Sequence, residues 1–409
     1  MTRPMTPADG GFAVLGQEQP GQKGLAFKLS VGAGVVAALA ILAGTAGLAV
    51  TAGGSGHKKP TKSHVSTRRV MGPTGPMHIG SIAPPPGTSG LSGNTTILVT
   101  FSAPVAGSSA YPTLSPHVAG QWEPSGRTLT FIPDRPLRSS TRYTLRIPAG
   151  RSGVVSEAGG LLAKPVRVRF STAGYSELRL AEVLSMLDYL PLTWSPTDSG
   201  RMSGDPVNIW PNSEQAMAYD PPIGTFIWQP GYPRELRSQW RPYTSNPLVR
   251  GAVMAFKAQH HMAVTPTTGR KFWRMLFAAG HLNQRNTAGY TYAVTRKGSP
   301  ETFTIWHNGR VVLRSLANTG IPIRPTVSGT FPVYLRYRHQ IMQGTNPDGS
   351  HYADPVSFVA YFNGGDAVRY FPRGSYGSPQ SLGCVEIPYT KAARAWPYLT
   401  YGSLVTVIG

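Results

Sequence analysis

A single cysteine, Cys384, serves a chain of 409 residues. A lone cysteine in a chain that looks exported cannot make an internal disulfide. The thiol is then either a small buried hydrophobe or a reactive group. Its surroundings, Ser381-Leu382-Gly383-Cys384-Val385, favour the second. Gly383 lets the backbone approach a ligand closely, and Ser381 offers a local hydrogen-bonding group. Pro379 and Pro388 bracket the segment and keep it out of regular helix. Forty-seven glycines and 38 prolines fit a loop-rich, mainly β extracytoplasmic protein better than a helical one.

Length alone implies about two to four domains. The formal charge is +21, yet charged residues make up only 14% of the chain, so the excess comes from scarce acids. Anionic partners follow: wall polymers, anionic lipid or nucleic acid. Nucleic acid is set aside, because the sequence has no Arg/Lys-rich helix, zinc spacing or RNA-binding aromatic signature.

Leu29 to Gly56 carries no charge, and Val31 to Ala52 is built of Val, Ala, Leu, Ile, Gly and Thr. Behind a tail of residues 1–28, the segment 29–52 is long enough to span a bilayer. It reads as a single-pass anchor. Cleavage of a signal peptide after the small residues Val50-Thr51-Ala52 is the alternative, giving a secreted protein. Lys58, Lys59, Lys62, Arg68 and Arg69 outnumber the cations before the run, which by charge bias alone would retain the C-terminal side in the cytoplasm. Long domains, however, translocate largely regardless of such charges. Residues 53–88 are rich in Gly, Pro, Ser, Thr and basic groups and read as a linker.

Residues 89–173 alternate with period two. Strands are expected at Thr96–Phe101, Thr128–Ile132, Tyr143–Ile147 and Val166–Phe170, with turn residues between them as in Glu123-Pro124-Ser125-Gly126. Short, regularly spaced strands argue for an antiparallel sandwich. Through Phe101-Ser102-Ala103-Pro104-Val105, Pro133-Asp134-Arg135-Pro136-Leu137 and Phe170-Ser171-Thr172, the segment resembles bacterial immunoglobulin-like domains.

Residues 174–285 change period. Leu178, Leu180, Val183, Leu184 and Leu187 recur at helical spacing behind a possible cap, Ser176. Leu248, Val249, Ala252, Val253 and Phe256 form a second apolar face, with Asn246 as cap and Pro247 at the first helical position. Trp273, Leu276 and Phe277 mark a third helix. The segment resembles a small three-helix peptidoglycan-binding-like domain, most visibly in Val249–Lys257, interrupted by an insertion at about 195–243. His260 and His261 have nothing at ligand spacing to join them, and no metal or cofactor is expected.

In residues 288–409 the cysteine segment is preceded by Glu301–Arg310, Gly329-Thr330-Phe331-Pro332-Val333, Gly344–Tyr352 and Tyr361–Ala367. In this order the set resembles the L,D-transpeptidase (YkuD-like) family. That resemblance implies a β-rich catalytic domain outside the membrane, in the cell wall or periplasmic space. It also implies acyl transfer between peptidoglycan stem peptides through a Cys384 thioester, and carbapenems as inhibitors. Backbone N–H groups at Gly383 and Cys384 would form the oxyanion hole, with Ser381 beside them. One family feature is missing. A histidine usually lies some fifteen residues before the cysteine, and here Arg369 holds that place, with Leu382 where a second histidine is common. Arginine can lower a thiol pKa by its charge but cannot carry a proton. His351 is the best substitute base and Tyr376 a second. The role of Glu386 is open. The chain therefore reads either as a transpeptidase or as a catalytically impaired relative that binds and scaffolds the cell wall.

Overall fold

The computed structural model describes residues 75–197 and 214–409. The expected tail, membrane span and most of the linker lie outside the described residues, as does 198–213 of the insertion. Among the described residues no helix is long and apolar enough to cross a membrane.

Period two in the sequence becomes a two-sheet sandwich. It is built from β1 (Ile79–Ala83), β2 (Ile97–Phe101), β3 (Thr113–Ser115), β4 (Gly120–Ser125), β5 (Thr128–Pro133), β6 (Arg142–Ile147) and β7 (Val166–Ser171). One sheet runs β1-β2-β5-β4, the other β3-β6-β7. Alternate residues Ile97, Val99 and Phe101 face Leu129, Phe131, Tyr143, Leu145, Val168 and Phe170 in one core. Each such side chain contributes about 1.5–3 kcal/mol of burial.

Two expectations are corrected here. The end of the expected linker is the first strand, because Met77 is buried in the sandwich and Ile79 packs against its core. Glu123 and Pro124 lie in β4 rather than a turn, and the loop is Gly126-Arg127 between Ser125 and Thr128. β4 is an edge strand, where proline's missing N–H costs no ladder bond.

The helical region follows the capping signals. Helix α1 (Glu177–Met186) is capped by Ser176, whose hydroxyl accepts from Leu178 N–H at 3.2 Å. After β8 (Leu192–Pro196) come α2 (Glu214–Met217), β9 (Gly224–Trp228) and α3 (Arg234–Arg237). Asn246 caps α4 (Pro247–Gln259) by accepting from Val249 N–H at 3.1 Å, and α5 (Arg270–His281) completes the set. Part of the expected insertion is therefore ordered: β8 pairs with β9, and Tyr232 and Leu236 are buried.

These helices do not close a core of their own. Leu180, Leu184, Val253, Phe256, Phe272 and Leu276 share one core with Tyr290, Tyr292, Val294 and Leu404 of the C-terminal sheet. The sandwich also docks on this region. Tyr219 Oη donates to Leu137 O at 2.8 Å, and Asn94 Nδ2 donates to Asp220 Oδ2 at 2.6 Å.

The C-terminal region holds β10 (Thr291–Arg296), β11 (Thr302–His307), β12 (Arg310–Leu316), β13 (Gly329–Pro332), β14 (Leu335–Thr345), β15 (His351–Asn363), β16 (Asp366–Tyr370), β17 (Val385–Glu386), α6 (Tyr389–Ala395) and β18 (Leu404–Ile408). One sheet runs β12-β11-β10-β18-β13 and the other β14-β15-β16-β17. Asn308 and Gly309 take positive φ between His307 and Arg310, as a two-residue hairpin loop requires. Phe303, Ile305, Val368, Val385, Val405 and α6 fill the core between the sheets. On the opposite face of the second sheet a smaller cluster joins Met342, Val356, Val359, Tyr361, Ala367 and Cys384.

Candidate active site

Register decides which side chains meet the thiol. β16 and β17 run parallel, with Val368 beside Val385 and Arg369 beside Glu386. Val368 and Val385 point into the intersheet core. Strand alternation then puts Ala367, Arg369, Cys384 and Glu386 together on the other face. Four residues separated by up to nineteen positions converge because two short strands pair without a slip.

Cys384 is buried, and its Sγ lies 3.8 Å from Gly365 O. The Arg369 guanidinium faces the sulfur closely enough for a charge interaction. Arg369 is 6% exposed; Nη2 donates to Glu386 Oε1 at 2.9 Å, leaving Nε and Nη1 buried without a hydrogen bond of regular geometry. Burial works against its charge, but the Cys384 sulfur and the Glu386 carboxylate outweigh burial and hold its pKa above the ordinary arginine value. The guanidinium is therefore a permanent cation beside the thiol.

Glu386, fully buried, anchors this cation and a second one. Arg373 donates through Nε to Oε2 at 2.7 Å and through Nη2 to Oε1 at 3.0 Å. The Phe371 ring packs against both guanidinium groups, its centre 4.9 Å from Arg369 Cζ and 4.7 Å from Arg373 Cζ. Two cations share one carboxylate, so the cluster keeps a net positive charge next to Cys384.

The turn before the cysteine is held from within. Ser381 Oγ donates to Cys384 O at 2.6 Å and accepts from Gly383 N–H at 3.2 Å. The Gly383 N–H, expected as an oxyanion donor, is thus already engaged. Gly383 has φ +122°, and a Cβ there would strike Asp366 Oδ1. Only glycine fits. Asp366 sits beneath this turn at the start of β16 and accepts from Val327 N–H at 3.3 Å; burial pushes its carboxyl above the ordinary value.

The strand opposite Arg369 is irregular. Ser357 pairs with Tyr370 and Ala360 with Val368, so Phe358 and Val359 together oppose Arg369. Phe358 takes φ +56° in this bulge. The extra residue turns Val359 toward the cysteine cluster and Phe358 toward the intersheet core.

Of the residues singled out in the sequence, Cys384, Gly383, Ser381 and Arg369 come together. The two substitute bases do not join them. His351 is exposed at the start of β15, with Nδ1 3.4 Å from the Thr345 hydroxyl. Its neighbour Tyr352 packs with the cysteine cluster, and successive strand residues face opposite sides. Tyr376 Oη is bonded to Phe371 O at 2.7 Å. Sequence reasoning did not assign Glu386, Arg373, Tyr352 or Asp366. The odd-numbered spacing of Ala367 and Arg369 against the even-numbered Cys384 and Glu386 was a signal for the first, once the two strands are paired.

Residues 73–172 match the bacterial Ig-like domain family. The sandwich is that domain. Solved structures similar to parts of this chain include L,D-transpeptidases. One, from Mycobacterium smegmatis, is 14% identical, covers 81% of this chain and 99% of its own, and gives a TM-score of 0.27. L,D-transpeptidase 3 from Mycobacterium tuberculosis, in complex with a faropenem-derived adduct, is also 14% identical, with coverages of 81% and 98% and a TM-score of 0.27. The catalytic domain of the Enterococcus faecium L,D-transpeptidase is 24% identical over 29% of this chain and 95% of its own, again at 0.27. No curated protein matches the sequence. At such identities and TM-scores, these likenesses add no weight to the geometry of the site.

Proposed function

We propose that the C-terminal region is a cysteine acyltransferase of L,D-transpeptidase type whose thiol is activated by a fixed cation rather than by a histidine. The observation that carries this reading is the Arg369 guanidinium held against Cys384 by Glu386. In the reaction, Cys384 Sγ attacks the carbonyl of a peptidoglycan stem peptide. The C–N bond breaks, the amine leaves with a proton, and a thioester remains. The amine of a second stem then displaces the sulfur and forms the cross-link. The Cys384 N–H and the positive cluster would stabilise the oxyanion of each step.

Arg369 sets a fixed positive charge beside the sulfur, where it would stabilise the anionic charge that develops in the reaction. It neither accepts the thiol proton nor returns one to the leaving amine, because arginine stays protonated. Solvent must supply that proton, and loss of a positioned acid–base group costs roughly 10²–10⁴-fold in rate. Slow transpeptidation follows. A carbapenem escapes the penalty, since ring opening relieves strain and the amine stays tethered. The protein would act outside the membrane, where the +21 charge favours anionic wall polymers.

Intact-mass spectrometry with a carbapenem tests this directly. A single adduct in the native chain, missing from Cys384→Ala, is the expected result; an unmodified native chain would overturn it. The second reading, a wall-binding scaffold that retained the fold, is favoured by the same replacement of imidazole by guanidinium. It predicts retention on peptidoglycan with no adduct.

A further inference from the structure

One sheet of the sandwich carries a cationic face. In β6, Tyr143, Leu145 and Ile147 point into the core, as do Val168 and Phe170 in β7. Strand alternation then turns Arg142, Thr144, Arg146, Arg167, Arg169 and Ser171 outward. All four arginines are exposed. Register sets these residues in rows. Arg146 lies directly opposite Arg167, Thr144 opposite Arg169, and Arg142 opposite Ser171. β3 extends two of the rows, with Thr113 beside Arg146 and Ser115 beside Thr144. Every outward position in these rows is therefore an arginine or a hydroxyl.

Such a face works against the fold. Like charges directly opposite on neighbouring strands have Cβ atoms about 4.5–5.5 Å apart and are destabilising. An acid beside Arg146 and Arg167 would relieve them, but the sheet supplies none. Between residues 75 and 173, nine arginines and lysines stand against three acids, Glu123, Asp134 and Glu157, none of which lies in β3, β6 or β7. None of the four guanidinium groups has an ion pair among the described residues.

Spacing and donor type select the ligand. Arg142 and Arg146 are both diagonal to Arg169, about 7–8 Å away, and Arg146 faces Arg167. The four cations thus form one path with steps of about 5–8 Å. That path suits a chain that repeats its negative charge rather than one small anion. Each guanidinium fork takes two oxygens of an anion. A carboxylate has only those two, whereas a phosphodiester keeps further oxygens for the hydroxyls between the arginines. The face has no aromatic ring on which a base could stack. Among the described residues of the sandwich, no large apolar side chain is exposed to enter a bilayer.

We propose that the outer face of β3, β6 and β7 binds a linear phosphodiester polymer without bases. The guanidinium groups would each hold a phosphate, and the hydroxyls would donate to the remaining oxygens. The site is independent of Cys384 and of the acyltransferase reading.

Fluorescence anisotropy on the full chain, with a labelled abasic deoxyribose-phosphate oligomer as probe, tests the proposal. Native protein should bind it saturably, and log Kd should rise with log salt at a slope of about 3, roughly 0.7 for each of four phosphates. Arg146→Gln with Arg167→Gln, and Arg142→Gln with Arg169→Gln, should each weaken binding roughly tenfold and about halve that slope. Arg127→Gln with Arg135→Gln removes the same charge from elsewhere on the sandwich and should leave the affinity nearly unchanged. The variant lacking Arg146 and Arg167 should melt no lower than the native chain, because it loses a repulsive pair. Absence of binding, equal weakening in the Arg127 and Arg135 variant, or a lower melting temperature without Arg146 and Arg167 would overturn the proposal. Equal affinity for polyglutamate of the same charge, or tighter binding to phosphatidylglycerol vesicles, would overturn the assigned class.

Discussion

Glu386 is the residue on which the site depends most. It is fully buried and accepts three hydrogen bonds from two arginines. Removing one partner of a buried pair strands the other charge, at a cost of about 3–5 kcal/mol. Glu386→Ala should therefore lower stability by that amount in urea unfolding, and Arg373→Ala by less, because Arg369 still pairs with the carboxylate. Equal, small losses in both would contradict the arrangement. Asp366 makes a pH prediction. Its folded pKa is raised, first by burial, above the ordinary 3.8. Its stabilising contribution is then complete below the unfolded pKa and is lost as pH rises through the folded value. Relative to Asp366→Asn, the native chain should lose stability as pH increases above about 4; parallel profiles would contradict this. That Cys384, Gly383 and Arg369 would lie together was legible in the sequence, because the resemblance that grouped them rests on local motifs. The place of Glu386 was not, since its role depends on a strand pairing between residues seventeen apart.

Elements were legible where a local signal sets them. Ser176 and Asn246 cap the helices that their spacing announces, and the Asn308-Gly309 turn closes the hairpin expected over Glu301–Arg310. Elements decided by distant partners were not legible. β1 reads as linker because its few apolar residues gain meaning only beside β2. The three helices read as a separate module because sequence periodicity shows an apolar face but not what covers it. In the structure Tyr290, Tyr292 and Leu404 cover it. That contact is close: a Cβ on Gly251 would meet Gly402 O at 2.5 Å. Gly251→Ala gains up to about 1 kcal/mol of helix propensity. Overpacking against the backbone should cost more, about 1–3 kcal/mol, so the net effect on thermal stability is a loss. A rise in melting temperature would show that α4 does not rest on the loop at residues 400–403.

Across the described residues from 75 onward, the sandwich, the helices and the C-terminal sheets belong to one compact unit. The whole chain carries a formal charge of +21 with few acids, which gives it a positive field. Its retention on an anionic polymer such as polyglutamate should fall sharply between about 0.1 M and 1 M salt, as the screening length shrinks from ~10 Å to ~3 Å. Salt-independent retention would mean that contacts other than charge hold it.

In the proposed function, Cys384 is activated by a cation that cannot move a proton. Cross-linking of stem tetrapeptides by the native chain and by Arg369→His tests it most directly, with carbapenem acylation followed in parallel. A Cys384 adduct is expected in both proteins, with cross-linking that rises by roughly 10²–10⁴-fold when an imidazole is introduced. Native cross-linking equal to or faster than that of Arg369→His would contradict it.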